Sequence, residues 1–210
     1  MKKALIVWGG WPGHKPEESA SLFRDILSAE GFDTVVSGEL DALRETAEFD
    51  LLVPVYTTGT INEDQLKGAV DAVRGGVGVA GAHGGMCDAF REATEWQFMT
   101  GGQFVAHPGD AGARYRVEIV DREHPATKGI DDFDVNSEQY YMHMDPASQV
   151  LAISRFPSLN GNPPVEMPAV WVKSYGAGRV FYCSVGHRPE DLASEPARSL
   201  MRQGFLWAAR

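Results

Sequence analysis

Three histidines lie where predicted secondary-structure elements end. His14 follows the first predicted strand, His83 lies in a glycine-rich turn after a later strand, and His187 follows the last predicted strand. Neutral imidazole is a common metal ligand, and its pKa near neutrality also suits it to proton transfer. Together with the carboxylate of Glu138, these three histidines predict a site for a divalent metal ion such as zinc. A structural or surface role for each histidine is the alternative interpretation.

The turn around His83, Gly81-Ala82-His83-Gly84-Gly85, has the glycine spacing of a nucleophile elbow. In such an elbow the glycines permit a sharp turn from strand to helix, and the central side chain is presented at the edge of the sheet. We therefore predict that His83 is a catalytic acid, base or metal ligand, with Glu138 as a second catalytic residue. A glycine-rich turn around a hydrogen-bonded structural histidine is the alternative.

Cys87 offers a different chemistry, because a thiol close to the elbow could act as the nucleophile of a hydrolase. It falls in the predicted helix after the turn instead of at the turn itself, which favours a buried thiol. The chain has only one other cysteine, Cys183, and the two form no CxxC pair. This usage is typical of proteins from a reducing compartment.

Aromatic and imidazole side chains near the same predicted edge could bind a substrate. Aromatic faces stack on the C–H faces of sugar rings, while polar groups bond the hydroxyls. Ordinary packing in the core is the alternative for each aromatic residue. The predicted substrate-binding residues are Trp11, Tyr56, Tyr140 and His107.

Charge and motif content exclude several function classes. Nineteen basic and 29 acidic residues give a net charge of −10, which disfavours nucleic acid and anionic membranes as partners. There is no Walker A motif and no GxGxxG after the first strand, so no nucleotide cofactor is expected. The hydrophobic N-terminal stretch is too short for a membrane helix and lacks a signal-peptide cleavage site. We therefore expect a cytoplasmic protein.

Strands and helices alternate in the first half of the chain, which predicts βαβ units and a mostly parallel sheet of the flavodoxin-like class. Parallel sheets carry their functional residues beyond the carboxyl ends of the strands, so the histidines should meet at one edge. The predicted strands are Lys3–Trp8, Asp33–Ser37, Asp50–Val55 and Val77–Ala82, and the predicted helices are Pro16 to Gly31, Asn62 to Arg74 and Met86–Trp96.

The second half of the chain consists mainly of extended segments. Some of them alternate polar and hydrophobic residues, which predicts strands with one solvent-facing side. The predicted elements are the strands Arg114–Val120, Val135–Met144, Val150–Ser154, Ala169–Lys173 and Arg179–Ser184, a hairpin turn at Ser174–Gly178 and a helix from Pro196 to Ala209. We expect one α/β domain over residues 1–210, with antiparallel strands added to a parallel core and helices flanking it.

Several short segments together resemble the ThuA-like, or trehalose-utilisation, family. The resemblance runs nearly from end to end, and it is the ordered set of segments that is specific. The segments are Trp8–His14, Gly81–Gly85, Gly101–Phe104 with His107-Pro108, His124–Gly129, Glu138–Tyr140, and Gly178–Tyr182 with Gly186-His187.

The resemblance implies a class I glutamine amidotransferase-like fold. Because His83 stands where amidotransferases have a cysteine, glutaminase activity is not expected. The resemblance also implies a role in the catabolism of trehalose or related disaccharides, including 3-keto sugars made by a partner dehydrogenase. Family members often have Asp-Glu before the tyrosine, whereas Ser137 precedes Glu138 here, so a site with two carboxylates is not implied.

Two functions remain open from the sequence. The first is an enzyme, a keto-glycoside isomerase, lyase or hydrolase that uses acid–base or metal-assisted chemistry at the histidine-rich site. The second is a non-catalytic carbohydrate-binding or regulatory module that kept the pocket. A small sugar or keto-sugar is the expected partner in both. A homodimer is expected only because symmetric dimers are the commonest oligomers.

Overall fold

Strands and helices alternate through the first half of the computed structural model, which describes residues 1–210. These elements are β1 (Lys3–Gly10), α1 (Pro16–Ala29), β2 (Asp33–Ser37), β3 (Leu51–Thr57), α2 (Glu63–Arg74), β4 (Gly78–Ala82), α3 (Gly84–Cys87) and α4 (Thr94–Thr100). A capping box begins α2, since Asn62 and Gln65 bond each other's backbone N–H groups. The parallel βαβ pattern of this half is confirmed.

The second half contains mostly strands and ends in a helix. Its elements are β5 (Gly102–Ala106), β6 (Ala113–Ile119), β7 (Phe133–Ser137), β8 (Tyr141–Met144), β9 (Gln149–Phe156), β10 (Val165–Tyr175), β11 (Gly178–Cys183) and α5 (Glu195–Ala208). The predicted hairpin between the last two strands is confirmed, because β10 and β11 pair antiparallel around a tight turn. None of the helices combines the length and hydrophobicity of a membrane-spanning segment.

One nine-stranded sheet carries the fold, in the order β2-β1-β3-β4-β11-β10-β9-β6-β7. The first five strands are mutually parallel, and the remaining pairs are antiparallel. With β11 counted as the fifth parallel strand, the order is that of flavodoxin-like sheets. The predicted fold class is therefore confirmed.

Both faces of the parallel strands are buried, which explains their uninterrupted hydrophobic sequences. Ala4 and Ile6 of β1 pack on one face with residues of α1 and α5. Leu5 and Val7 point to the other face and pack with residues of α2 and α4. Because the helices cover both faces, the loops at the strand ends are the accessible part of this half.

The predicted helix Met86–Trp96 is interrupted in the structure. The helical segments are α3 and α4, and the chain between them forms a bridge from Ala89 to Thr58, next to the end of β3. Phe90 has a φ of 48°, in the left-handed region, which a continuous helix does not allow. Tertiary pairing with the β3 loop therefore overrides the helical pattern.

The predicted extended segment Val135–Met144 is divided between two sheets. β7 forms an edge of the large sheet, whereas β8 pairs with β5, a strand that the sequence pattern did not predict. Between them Glu138–Tyr140 leaves the strand geometry and is buried. The end of β7 lies beside Asp191, whose carboxylate accepts a hydrogen bond from Ser137 at 2.6 Å. The antiparallel half therefore returns toward the loop that follows β11.

Candidate metal centre and adjoining cleft

His14 is positioned by the close approach of two parallel strand ends. Gly10 at the end of β1 pairs with Thr57 at the end of β3, with a φ of 77°. A Cβ on Gly10 would lie 2.0 Å from the carbonyl oxygen of Thr57, so only glycine fits here. A short turn at Pro12–His14 follows, and Nδ1 of His14 lies 2.7 Å from Oγ1 of Thr57. This hydrogen bond fixes the imidazole plane and leaves Nε2 free.

His83 has the backbone conformation expected for the central residue of an elbow. Its φ of 51° and ψ of −143° form a strained combination, which costs about 1–3 kcal/mol. The following glycines are sterically required: a Cβ on Gly85 would lie 2.9 Å from Cα of Val55. His83 Nδ1 lies 2.8 Å from the carbonyl oxygen of Ser184, the residue after β11. A carbonyl oxygen only accepts hydrogen bonds, so Nδ1 carries the hydrogen.

His187 and Glu138 approach from the other two loops. His187 follows Gly186, whose φ of 125° turns the chain back over the strand ends. The backbone carbonyl of Glu138 accepts a hydrogen bond from the hydroxyl of Tyr115 at 3.1 Å. Together with the Ser137–Asp191 bond, this contact holds the Glu138 carboxylate over the histidines.

The four side chains converge on one point. Oε2 of Glu138 lies 3.1 Å from Nε2 of His83 and 3.7 Å from Nε2 of His14. The other oxygen, Oε1, lies 3.1 Å from Nδ1 of His187. One possible ligand atom from each residue lies within 4.8 Å of all the others, and all four residues are buried. The structure therefore brings together the three histidines and the glutamate that the sequence selected.

Burial governs the protonation of this cluster. It lowers the pKa of His83 to about 4, and it also lowers the pKa of His187 below its ordinary value. Burial by itself would raise the pKa of Glu138, but the contacts with His14 and His83 outweigh it and hold that pKa below its usual range. At pH 7 the cluster therefore contains neutral imidazoles of His83 and His187 beside an ionised carboxylate.

The geometry of this cluster favours a cation among the facing atoms of His83, His187 and Glu138. In neutral His83 the hydrogen is on Nδ1, so Nε2 presents a lone pair to the Glu138 carboxylate oxygen 3.1 Å away. Nδ1 of His187 is buried, and although it lies 3.1 Å from Oε1 of Glu138 it is not aligned for a hydrogen bond. A proton in this contact would make either a buried imidazolium of His83 or a protonated carboxyl of Glu138, and the lowered pKa values of both groups disfavour these forms. The donor set of three nitrogens and a carboxylate instead fits a divalent transition metal such as zinc.

A cleft of about 260 Å³ opens beside the cluster. Three of the four predicted substrate-binding residues line it: Trp11, His107 and Tyr140. The Tyr140 ring stacks on His83 with the centroids 3.7 Å apart, and Trp11 meets His14 edge-on at 4.8 Å. The cleft is thus aromatic on its walls and polar at its base, as sugar-binding sites are.

The structure does not bring Tyr56 into this cleft. Side chains alternate along a strand, so Thr57 faces His14 and the neighbouring Tyr56 points the other way. The Tyr56 ring stacks on Phe90 with centroids 5.4 Å apart. Its close packing against Gly9, where a Cβ would lie 2.5 Å from the ring, shows a structural contact.

Sequence reasoning missed a charged pair in the cleft wall. Asp88 is buried, and its carboxylate accepts hydrogen bonds from Nε and Nη2 of Arg91 at 2.5 and 3.0 Å. The Arg91 guanidinium lies over the ring of Phe104, which also lines the cleft. An Asp and an Arg three residues apart, directly after the elbow, were the available signal. The assumption of a regular helix there obscured it.

Cys87 does not line the cleft. Its side chain is buried within the hydrophobic packing of α3, and burial raises the pKa of the thiol well above its ordinary value. A protonated, inaccessible thiol is a poor nucleophile. The structure thus agrees with the interpretation of Cys87 as a buried structural residue.

Known proteins share this sequence pattern and fold. The sequence profile of the ThuA family, described as trehalose utilisation, matches residues 3–208. A ThuA-like protein from Parabacteroides merdae has a TM-score of 0.78 at 20% identity, over 99% of this chain and 89% of that one. One from Bacteroides uniformis has a TM-score of 0.78 at 19% identity, over 99% and 91% of the two chains.

A cytoplasmic protein from Salmonella typhimurium is also similar, with a TM-score of 0.71 at 17% identity, over 99% of this chain and 100% of that one. No curated protein sequence matches the chain significantly. The profile match covers nearly the whole chain, and the solved structures share its fold. The resemblance inferred from the short segments is thereby confirmed, and the chain belongs to the ThuA, or trehalose utilisation, family.

Proposed function

We propose that this protein is an enzyme of carbohydrate catabolism that acts on a sugar or 3-keto sugar derived from trehalose or a related disaccharide. Its chemistry would depend on a divalent metal held by His14, His83, His187 and Glu138. The observation that carries the proposal is the buried convergence of these four side chains, whose possible ligand atoms all lie within 4.8 Å of one another. His14 and Glu138 of this cluster also line the aromatic cleft.

The residues around the cluster orient the imidazole rings. The Ser184 carbonyl and the Thr57 hydroxyl each bond the far nitrogen of a histidine, as outer partners of metal-binding histidines commonly do. A bound metal would polarise a carbonyl or enediolate oxygen and lower the cost of removing an adjacent proton. His107 lies on the cleft wall outside the cluster, so its imidazole can exchange protons with a ligand.

The aromatic walls favour a sugar as the ligand. Trp11 is 48% exposed and stands at the mouth of the cleft, where its face can stack on a ring. The Tyr140 hydroxyl lies at the base, near the position of Gly84 and His14. Burial raises the pKa of Tyr140 well above its ordinary value, so this hydroxyl stays protonated and can donate to a ligand oxygen. Glutamine hydrolysis is not proposed, because His83 occupies the elbow.

The test is metal analysis of the purified protein combined with turnover of a 3-keto disaccharide. We expect about one metal ion per chain and activity that chelation removes. His83→Ala should lose both metal and turnover, whereas His143→Ala, at an exposed histidine outside the cluster, should keep both. Metal-independent turnover would reassign His83 and Glu138 to acid–base catalysis. A sugar-induced thermal shift without any turnover would instead establish the non-catalytic carbohydrate-binding module.

A further inference from the structure

A second cavity of about 370 Å³ adjoins the cleft. It lies between the loop Thr58–Ile61, which follows β3, and the segment Phe90–Ala93, which precedes α4. Thr58 and Arg91 line both this groove and the cleft beside the metal-ligand cluster. The two cavities are therefore neighbouring compartments that share one wall.

The walls of the second groove are fixed by backbone hydrogen bonds. The N–H of Thr58 donates to the carbonyl of Asp88 at 2.8 Å, and the N–H of Phe90 donates to the carbonyl of Thr58 at 3.2 Å. Thr58 and Phe90 have φ values of 59° and 48°, in the left-handed region, which costs each of them free energy. Such strained, cross-linked segments provide a preformed surface, and preformed surfaces lower the entropic cost of binding.

Arg91 lies where the two cavities meet, and part of its guanidinium is free to donate hydrogen bonds. Nε and Nη2 are bonded to Asp88, whereas Nη1 has no acceptor within the protein. The side chain is 53% exposed, and the buried carboxylate of Asp88 balances its charge. Because the Asp88 carboxylate offsets the guanidinium charge, the remaining N–H groups can donate to neutral hydroxyl or ether oxygens of a ligand. The groove also contains the hydroxyls of Thr58 and Thr60.

We propose that the groove between Thr58–Ile61 and Phe90–Ala93 is a second ligand subsite, which takes the second ring of a two-ring glycoside. The first ring would lie in the cleft beside His83 and Glu138, so this inference rests on the function proposed above. Nη1 of Arg91 donates to an oxygen of the ligand at the junction of the two rings. Arg91 is then a specificity-determining residue that distinguishes disaccharides from single sugars.

Calorimetric titration of the metal-loaded protein tests this subsite. The one-ring probe is methyl α-glucoside and the two-ring probe is trehalose, each also used in its 3-keto form. We expect the two-ring probe to bind about tenfold more tightly. Thr60→Trp, which fills the groove at an exposed position, should remove this preference and leave one-ring binding unchanged. Glu95→Trp, at an exposed site outside both cavities, is the matched control.

Arg91→Lys gives a second readout, because lysine keeps the charge but loses the fork of donors. It should weaken two-ring binding about tenfold, with a smaller effect on one-ring binding. Equal affinity of the wild-type protein for both probes, or an unchanged preference in Thr60→Trp, would overturn the subsite and leave the proposed function intact. Absence of binding by every sugar would overturn both.

Discussion

The parallel and antiparallel halves of the sheet contribute to the candidate site in different ways. The parallel half contributes His14, His83 and His187, each within a few residues of the end of a strand. The antiparallel half contributes Glu138 and Tyr140, which leave an edge strand at the far side of the same sheet. All of them meet within a few ångströms, although their routes to the site differ.

The difference shows what strand direction does for a site. Parallel strands place all their carboxyl ends at one edge, so residues after β1, β4 and β11 are neighbours by topology. Antiparallel strands alternate in direction, so β7, four strands beyond β11, ends at that same edge, but strand direction does not bridge the four-strand separation from the histidines. Glu138 arrives there through particular contacts, the hydroxyl of Tyr115 on its carbonyl and the Ser137–Asp191 bond. We therefore expect the Glu138 carboxylate to be decisive for metal binding. We expect the three histidines to keep their positions when most residues of the antiparallel half are changed.

The largest expected effect is that of Glu138→Gln, which removes the carboxylate that the antiparallel half contributes to the cluster. Loss of the anionic ligand should weaken zinc binding by more than about 100-fold, since losing even an outer partner costs 10–100-fold. At a metal concentration 100 times the Kd of the wild-type protein, bound metal raises the free energy of unfolding by about 2.7 kcal/mol. At the same concentration the variant should gain almost none of this stabilisation. Thermal unfolding with and without EDTA measures this. Glu123→Gln, at an exposed glutamate, should respond to EDTA like the wild type.

Gly10→Ala tests the strand contact that positions His14 in the parallel half. The new Cβ would lie 2.0 Å from the Thr57 carbonyl oxygen at a φ of 77°, so we expect a loss of about 3 kcal/mol in the free energy of unfolding. Gly31→Ala has a similar φ of 80° but no atom within 4 Å, and should cost only about 1 kcal/mol. Urea denaturation separates the two. Equal losses would show that the strand ends can move apart.

Thr57→Val removes the hydrogen bond that orients His14 but keeps the shape of the side chain. Zinc affinity should fall about 10–100-fold, without a large change in fold stability, because outer partners of metal-binding histidines have effects of this size. Thr34→Val is the control, since the Thr34 hydroxyl is buried without a partner on the edge strand β2. A competition assay with a zinc-binding dye measures both. Unchanged affinity in Thr57→Val would show that the Thr57 hydroxyl does not position His14 for metal binding.

The smallest effect concerns an ion pair of the antiparallel half that lies outside the site. The ammonium of buried Lys173 donates to Asp145 at 2.6 Å, and this hydrogen bond lowers the pKa of the Asp145 carboxyl below its ordinary value. The resulting stability is complete above the ordinary aspartate pKa of about 3.9 and is lost as pH falls below it. Asp145→Asn should therefore cost about 1.5 kcal/mol at pH 7.

That cost should shrink as the pH falls from 7 to about 2, through the lowered pKa of Asp145, because the wild-type carboxyl then becomes protonated. Chemical denaturation at the two pH values measures the change. Metal binding at pH 7 should be unaffected, because Asp145 is not part of the cluster. A loss of metal in Asp145→Asn would contradict the independence of the two halves.

Sequence patterns were sufficient for the parallel half because its signals are local. The hydrophobic segment that became β1, the capping box of Asn62 and Gln65, and the glycines around His83 each specify structure within a few residues. Gly81 and Gly85, on either side of His83, predict the elbow from their spacing alone. The same local logic failed for Met86–Trp96, because the bridge from Ala89 to Thr58 depends on a loop some 30 residues away.

The sequence by itself determined the fold class, the family and the choice of His14, His83, His187 and Glu138. The three histidines follow strand ends, and topology brings such ends together. Only the tertiary structure decided that Tyr56 packs away from the cleft, that Arg91 and Asp88 form its wall, and that Glu138 reaches the histidines. These positions depend on side-chain alternation at one strand end and on long-range contacts of the curled antiparallel strands. Residue type and spacing along the chain do not encode such contacts.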